Sequence, residues 1–207
     1  MLGHQEPFAD IGPIAADHTE RKVVTVVFID VKDSMPLSRE IELEDWWSVS
    51  SGLFTLMCEG AERFGGWVGE FTGDGANTVF EPTVGGHHHA WRACLAALWL
   101  RDAVRTVATQ LRSEHQLEFS VRIGIHSGEV LAGTVGHRDR RSYRVNGYAV
   151  SLAKRIEGLA RPNRIYLSGS TAAFLTEAFQ LHDLGAAEVR GAEAPVRVFE
   201  LVAIAGR

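Results

Sequence analysis

The chain has 207 residues, 45% of them hydrophobic, and a formal net charge of −5. That length suffices for one substantial domain whose core needs no disulfide or metal staple. The acidic balance argues against a general nucleic-acid binder, which carries a basic surplus, and no window reaches the roughly 18–20 consecutive apolar residues of a membrane span.

Residues 1–20 hold two prolines, scattered charge and no period. They read as a loose leader, without the basic-then-apolar order of a secretory signal. The run at 22–30, KVVTVVFID, is apolar and β-branched, as in a strand buried on both faces, and 30–38 follow as a polar loop. Leu43, Trp46, Trp47, Leu53, Phe54, Met57, Ala61 and Phe64 recur at helical spacing and predict an amphipathic helix over 42–64, stopped by Gly65 and Gly66. Residues 67–80 predict a hairpin turning at Gly73, Asp74 and Gly75. A second long helix over 87–111 follows from Trp91, Cys94, Leu95, Leu98 and Val104.

Phe119, Val121, Ile123 and Ile125 alternate, and a turn at Ser127 and Gly128 leads into another apolar run, a second hairpin. A basic loop at 137–144 precedes a helix marked by Val150, Ala153, Ile156 and Ala160. Strands are predicted at 164–168 and 196–202, with a short helix at 171–178 between them. Mixed strands and helices in one layer pair, with two hairpins, predict an α+β domain over 21–204 rather than a parallel βαβ array. Cys58 and Cys94 fall within helical patterns and read as buried reduced thiols, which fits a cytoplasmic compartment.

Asp30 stands where a buried strand meets its loop, a costly place for a carboxylate unless it is paired or binds a cation. Asp74 sits on a tight turn whose flanking glycines admit a close neighbour. If the two strands are neighbours, both carboxylates converge at one sheet end, and such oxygen ligands suit Mg²⁺ or Mn²⁺. Asp-Gly is also among the commonest hairpin turns, and Asp30 serves equally as a cap, so spacing leaves both readings open.

Four motifs, VVTVVFIDVKDSMPLS, GGWVGEFTGDGANTVF, VRIGIHSGEVLAGTVG and YRVNGYAVSLAKRIEGLA, occur in the order and at about the intervals of the class III nucleotidyl cyclase catalytic domains, the adenylyl and guanylyl cyclase family. The chain resembles that family over 21–204. The resemblance implies a ferredoxin-like α/β sandwich working as a head-to-tail homodimer, with sites at the interface. It implies two metal ions, Mg²⁺ or Mn²⁺, on Asp30 and Asp74 with the backbone carbonyl of Ile29 or Val31. It implies conversion of a nucleoside triphosphate, ATP or GTP, into a 3′,5′-cyclic nucleotide and pyrophosphate. By the same resemblance Arg155 is the arginine that steadies the transition state, and Arg190 lies near the basic contact to the terminal phosphate.

The chain departs from the adenylyl cyclase pattern at several positions. Glu70 replaces the usual Lys four residues before the second metal aspartate, and Arg144 replaces Asp or Thr after the tyrosine of the last motif. Guanine offers donors at N1 and N2 and an acceptor at O6, so a carboxylate at Glu70 and a cation at Arg144 complement guanine rather than adenine. The alternative is that the two pair with each other and close the pocket. Ser151 stands at a ribose-positioning Asn, and Tyr148 at an Asp or Asn, facing either the base pocket or the interface. Asp33 and Met35 replace Gly and Thr in the metal loop. His87, His88 and His89 point in different directions as neighbours on one helix and read as solvated, His126 as structural, and Trp46 and Trp47 as core or dimer contacts.

Overall fold

A computed structural model describes residues 19–83, 86–137, 140–175 and 177–206. The leader expected at 1–20 lies outside the described residues except at its end, where Glu20 already opens the first strand. The elements run β1 (Glu20–Val31), α1 (Ser34–Glu40), α2 (Leu43–Arg63), β2 (Trp67–Thr72), β3 (Gly75–Phe80), α3 (His89–His115) and β4 (Val121–His137). They continue through β5 (Arg140–Asn146), α4 (Tyr148–Leu159), β6 (Ile165–Ser168), α5 (Gly169–Ala172), β7 (Phe179–Ala187) and β8 (Val196–Ile204).

The described strands form one sheet in the order β2-β3-β1-β4-β6-β8-β7, with β5 paired to β4. The first four strands have the ferredoxin-like order, β1 lying antiparallel between β3 and β4, and the parallel pairing of β4 with β6 extends the sheet. Alternation along β1 explains its nearly continuous apolar run from Val23 to Ile29. Val27, Ile29 and Val31 face a cluster with Met57 of α2 and Cys94 and Leu100 of α3, while Val24, Val26 and Phe28 face Ala149 and Ala153 of α4. Helices thus cover both faces, and the expected single layer pair is corrected to three layers.

Other expectations are corrected locally. Ser127 and Gly128 do not turn: β4 runs unbroken, pairing Ser127 with Thr25 and Gly128 with Val24. A side chain at Gly128 would place its Cβ 3.0 Å from that of Ala149, so this glycine admits α4 rather than making a turn. The hairpin falls about ten residues later, and most of the stretch read as a basic loop is β5. The loop after β1 contains α1, entered through Asp33 in the left-handed region at φ 55, a conformation that explains why glycine is commoner there. The short helix is α5, ending before 173, and β7 had no clear apolar alternation to announce it.

Leu43 and Trp47, assigned to the apolar face of α2, are 74% and 73% exposed, whereas Trp46 packs against the core. Cys94 is buried and Cys58 half-buried, both as free thiols. The three histidines do not share one fate. His88 caps α3 by accepting from the Ala90 amide, while His89 is buried and shares a 2.7 Å hydrogen bond with Thr25, correcting the solvated reading for that residue.

Candidate active site

Register brings the acidic residues together. Asp30, the penultimate residue of β1, lies opposite Gly75 on β3 and Arg122 on β4, and Asp74 occupies the turn just before Gly75. Gly75 has to be glycine: a Cβ there would sit 2.3 Å from the Ile29 carbonyl oxygen and 2.7 Å from Asp30 Oδ1. Its absence leaves that carbonyl and both carboxyl groups at one end of the sheet. Val31 is the last, buried residue of β1.

The Asp30 carboxyl is held above the ordinary carboxylate range. Burial is the largest cause, Lys154 opposes it, and the charge of neighbouring Asp74 adds to it, as expected of two carboxyl groups in each other's field. The Ser34 hydroxyl, at the start of α1, donates to Asp74 Oδ2 and holds the second carboxylate. Two carboxylates and a strand-end carbonyl form an all-oxygen set, which fits a hard divalent cation that retains part of its water shell. Among the described residues no group of three His, Cys, Asp or Glu side chains is placed to hold a metal, so such an ion would have only the two aspartates as acidic ligands.

Three residues that sequence reasoning passed over complete the floor of this site. Lys154 Nζ lies 3.1 Å from Asp30 Oδ2 and 3.0 Å from Glu157 Oε2. Arg122 lies 3.4 Å from Asp30 Oδ2, and its Nε is 2.9 Å from Glu157 Oε1. That last contact is one of charge alone, because the N–H direction misses the oxygen and leaves both atoms buried without a hydrogen bond. Burial raises the Glu157 carboxyl, with Lys154 and Arg122 opposing. Burial would lower Lys154, but Glu157 and Asp30 hold it above its ordinary value. The spacing of Lys154 and Glu157 on one helix was legible, whereas their approach to Asp30 depends on how α4 docks.

The remaining residues fall around three hollows. Arg155 and Arg190 border the same hollow as Asp30 and Lys154, about 420 Å³ in volume. Arg155 and Ser151 stand one turn apart on the exposed face of α4. Tyr148, 56% exposed at the start of α4, borders a second hollow of about 640 Å³ with His126, Glu129 and Arg197.

Glu70 and Arg144 border a third, small hollow with Gly69, Asn77, Val145 and Val150. A bulge between Val68 and Glu70 re-aims the acid, and Gly69 is confined because a Cβ there would meet Asn77 Oδ1 at 2.2 Å. Glu70 Oε1 lies 2.8 Å from Arg144 Nη1, so the two residues pair within one chain, each close to half exposed. The Arg144 Nε also donates to Ser142.

A ferredoxin-like βαββαβ sheet with one carboxylate near the end of its first strand and another on the β2–β3 turn is the arrangement implied by the resemblance to class III nucleotidyl cyclase catalytic domains. Residues 16–203 match the adenylate and guanylate cyclase catalytic domain family, and the chain belongs to that family. It is 27% identical over 186 residues to adenylate cyclase 1 of Rhizobium meliloti, a match that covers 89% of this chain and 28% of that protein. The chain thus spans less than a third of that relative. Among solved structures, the adenylyl cyclase CyaB from P. aeruginosa superposes with a TM-score of 0.84 at 27% identity, covering 89% of this chain and 96% of that one. The guanylate cyclase domain of RhGC from Catenaria anguillulae, in complex with GTP, superposes with a TM-score of 0.79 at 26% identity, covering 89% and 99%.

Proposed function

We propose that this domain is a purine nucleotide cyclase, converting a nucleoside triphosphate into its 3′,5′-cyclic nucleotide and pyrophosphate as an intracellular signal. The observation that carries the reading is the meeting of Asp30 and Asp74 beside the Ile29 carbonyl, under a glycine that leaves them open. Two divalent ions, Mg²⁺ or Mn²⁺, bound by these groups with Ile29 or Val31 would acidify the ribose 3′-hydroxyl and neutralise the triphosphate.

The chain's own side chains supply binding and orientation. Ser34 holds Asp74 in place. The planar fork of Arg155 fits the oxygens of the α-phosphoryl group, where charge grows in the transition state, and Arg190 takes the terminal phosphate. Ser151, one turn before Arg155, hydrogen-bonds the ribose, and Tyr148 is open to the nucleotide or to a second copy. Glu70 and Arg144 border a different hollow from Asp30, which supports a site shared between two head-to-tail copies, one giving the aspartates and the other the base pocket.

The base pocket leans towards GTP. A guanidinium and a carboxylate side by side present donor, acceptor, acceptor, the complement of guanine O6, N1–H and N2–H. A site built on such bonds rejects a base that leaves them unmade. The Catenaria relative, whose structure contains GTP, supports the substrate class.

Incubating the purified domain with Mn²⁺ and either ATP or GTP, then separating the products by chromatography, tests this reading. Cyclic GMP is expected to outpace cyclic AMP, and Asp30→Ala to abolish both. A preference for ATP would overturn the base assignment in favour of an adenylyl cyclase with an unusual pocket. The internal ion pairs on Glu70 and Asp30 favour a second reading, a weakened module that binds nucleotide without turnover. Nucleotide affinity with no cyclic product would select it.

A further inference from the structure

The stretch that carries Arg155 reads SLAKRIE, and its Lys154 has no part in the reaction described above. On α4, Ser151 and Arg155 point to solvent, whereas Lys154 and Glu157 turn towards the end of β1. There the ammonium is shared between Asp30 Oδ2 at 3.1 Å and Glu157 Oε2 at 3.0 Å. The two anions differ: the Glu157 side chain is 1% exposed and that of Asp30 15%, while Lys154 itself is 40% exposed. One carboxylate is therefore a fixed anchor, the other faces the hollow, and the lysine head has room to move. A lysine is a point charge on a flexible stem, so it can leave one partner and keep the other.

A divalent ion at Asp30 and Asp74 would bind the same Asp30 carboxylate that Lys154 holds. An ammonium and a metal cannot share it without strong repulsion. Arg122 is less able to fill the same role, since it is farther from Asp30, at 3.4 Å, and lies against Glu157.

We propose that Lys154 is an internal counter-cation, holding Asp30 when no metal is bound and withdrawing onto Glu157 alone when a divalent ion enters, so that Lys154 and Glu157 together set the metal affinity of the site. The inference rests on Asp30 being a metal ligand. A partly exposed ion pair of this kind is worth up to about a fivefold change in an equilibrium, a brake on metal binding rather than a block.

The test is direct binding of Mn²⁺ alone, without nucleotide, followed by the electron paramagnetic resonance signal of the free ion. Asp30→Asn should abolish binding to the site. Lys154→Met should tighten it by up to about fivefold, because the competitor is gone. Glu157→Gln should weaken it, because the displaced ammonium loses its anchor. In the double variant the effect of Glu157→Gln should largely vanish, since no ammonium is left to anchor, and this non-additivity separates the mechanism from the general loss of a nearby negative charge.

If Asp30→Asn loses binding but Lys154→Met binds no tighter than the wild type, the lysine proposal is overturned and the metal reading stands. If Asp30→Asn binds Mn²⁺ as the wild type does, both fall. Should circular dichroism show Lys154→Met to be misfolded, Lys154→Gln keeps much of the stem without the charge and must tighten binding in the same way.

Discussion

His126 shows what burial does to a single titratable residue. It is 6% exposed in the middle of β4, its Nδ1 sharing a 2.8 Å hydrogen bond with the Ser168 hydroxyl, and burial pulls its pKa down from 6.5 to about 4. The sign follows from linkage: below pH 6.5 the unfolded chain gains a proton that the folded chain refuses until about pH 4, so stability falls across that window. Between pH 6.5 and 5, above the range of ordinary carboxylates, this one residue should remove about 1.5 kcal/mol. Urea denaturation at several pH values should show that loss, and His126→Asn should reduce the slope. His89, also drawn down to about 4 with burial as the main cause, should keep part of it.

At this scale the sequence was readable where a residue type contradicted its surroundings. Asp30 ending a buried strand and Asp74 between glycines both stood out. Arg122 falls between the alternating apolar residues Val121 and Ile123, and only the β1–β4 register sets it opposite Asp30.

The element on which the site depends is α4, packed so closely on β4 that their backbones touch. A Cβ on Gly124 would lie 2.1 Å from the Glu157 amide nitrogen and 2.6 Å from the Ala153 carbonyl oxygen, and backbone atoms cannot swing aside as a side chain can. Gly124→Ala should therefore push α4 off the sheet, costing about 2–3 kcal/mol of stability. It should also lower turnover more than substrate affinity, because Ser151 and Arg155 both ride on that helix. Steady-state kinetics beside a urea titration would separate the two effects, and unchanged stability would contradict the packing described. The helix itself was legible from its apolar spacing. The docking was not, because glycines within a strand read as a turn or as a place of close approach, and nothing local distinguishes them. The same ambiguity placed a hairpin at Ser127 and Gly128 when the strand runs on to His137.

For the whole molecule, the question is how one nucleotide could reach both the aspartates and the base pair. The β4–β5 arm leaves Leu131, Val135 and Tyr143 52%, 57% and 42% exposed, apolar surface of the kind a second copy would cover. A mixing experiment decides between a shared and a single-chain site. Asp30→Ala and Arg155→Ala chains should each be inactive, yet together recover about a quarter of wild-type activity, since half of randomly formed dimers would carry one intact site. No recovery would mean that Asp30 and Arg155 serve together within one chain, as their shared hollow also permits.

The contacts that gather at Asp30 join residues far apart in the chain: Arg122 is 92 positions away and Lys154 is 124. Closing loops of that length is slow, and the contacts form only after the intervening strands have paired. The charged floor therefore cannot assemble until α4 has been made, and a chain still emerging from the ribosome carries both aspartates before it carries a site. Metal binding at Asp30 would then report that β1, the β2–β3 turn, β4 and α4 have come together, as directly as it reports readiness to react.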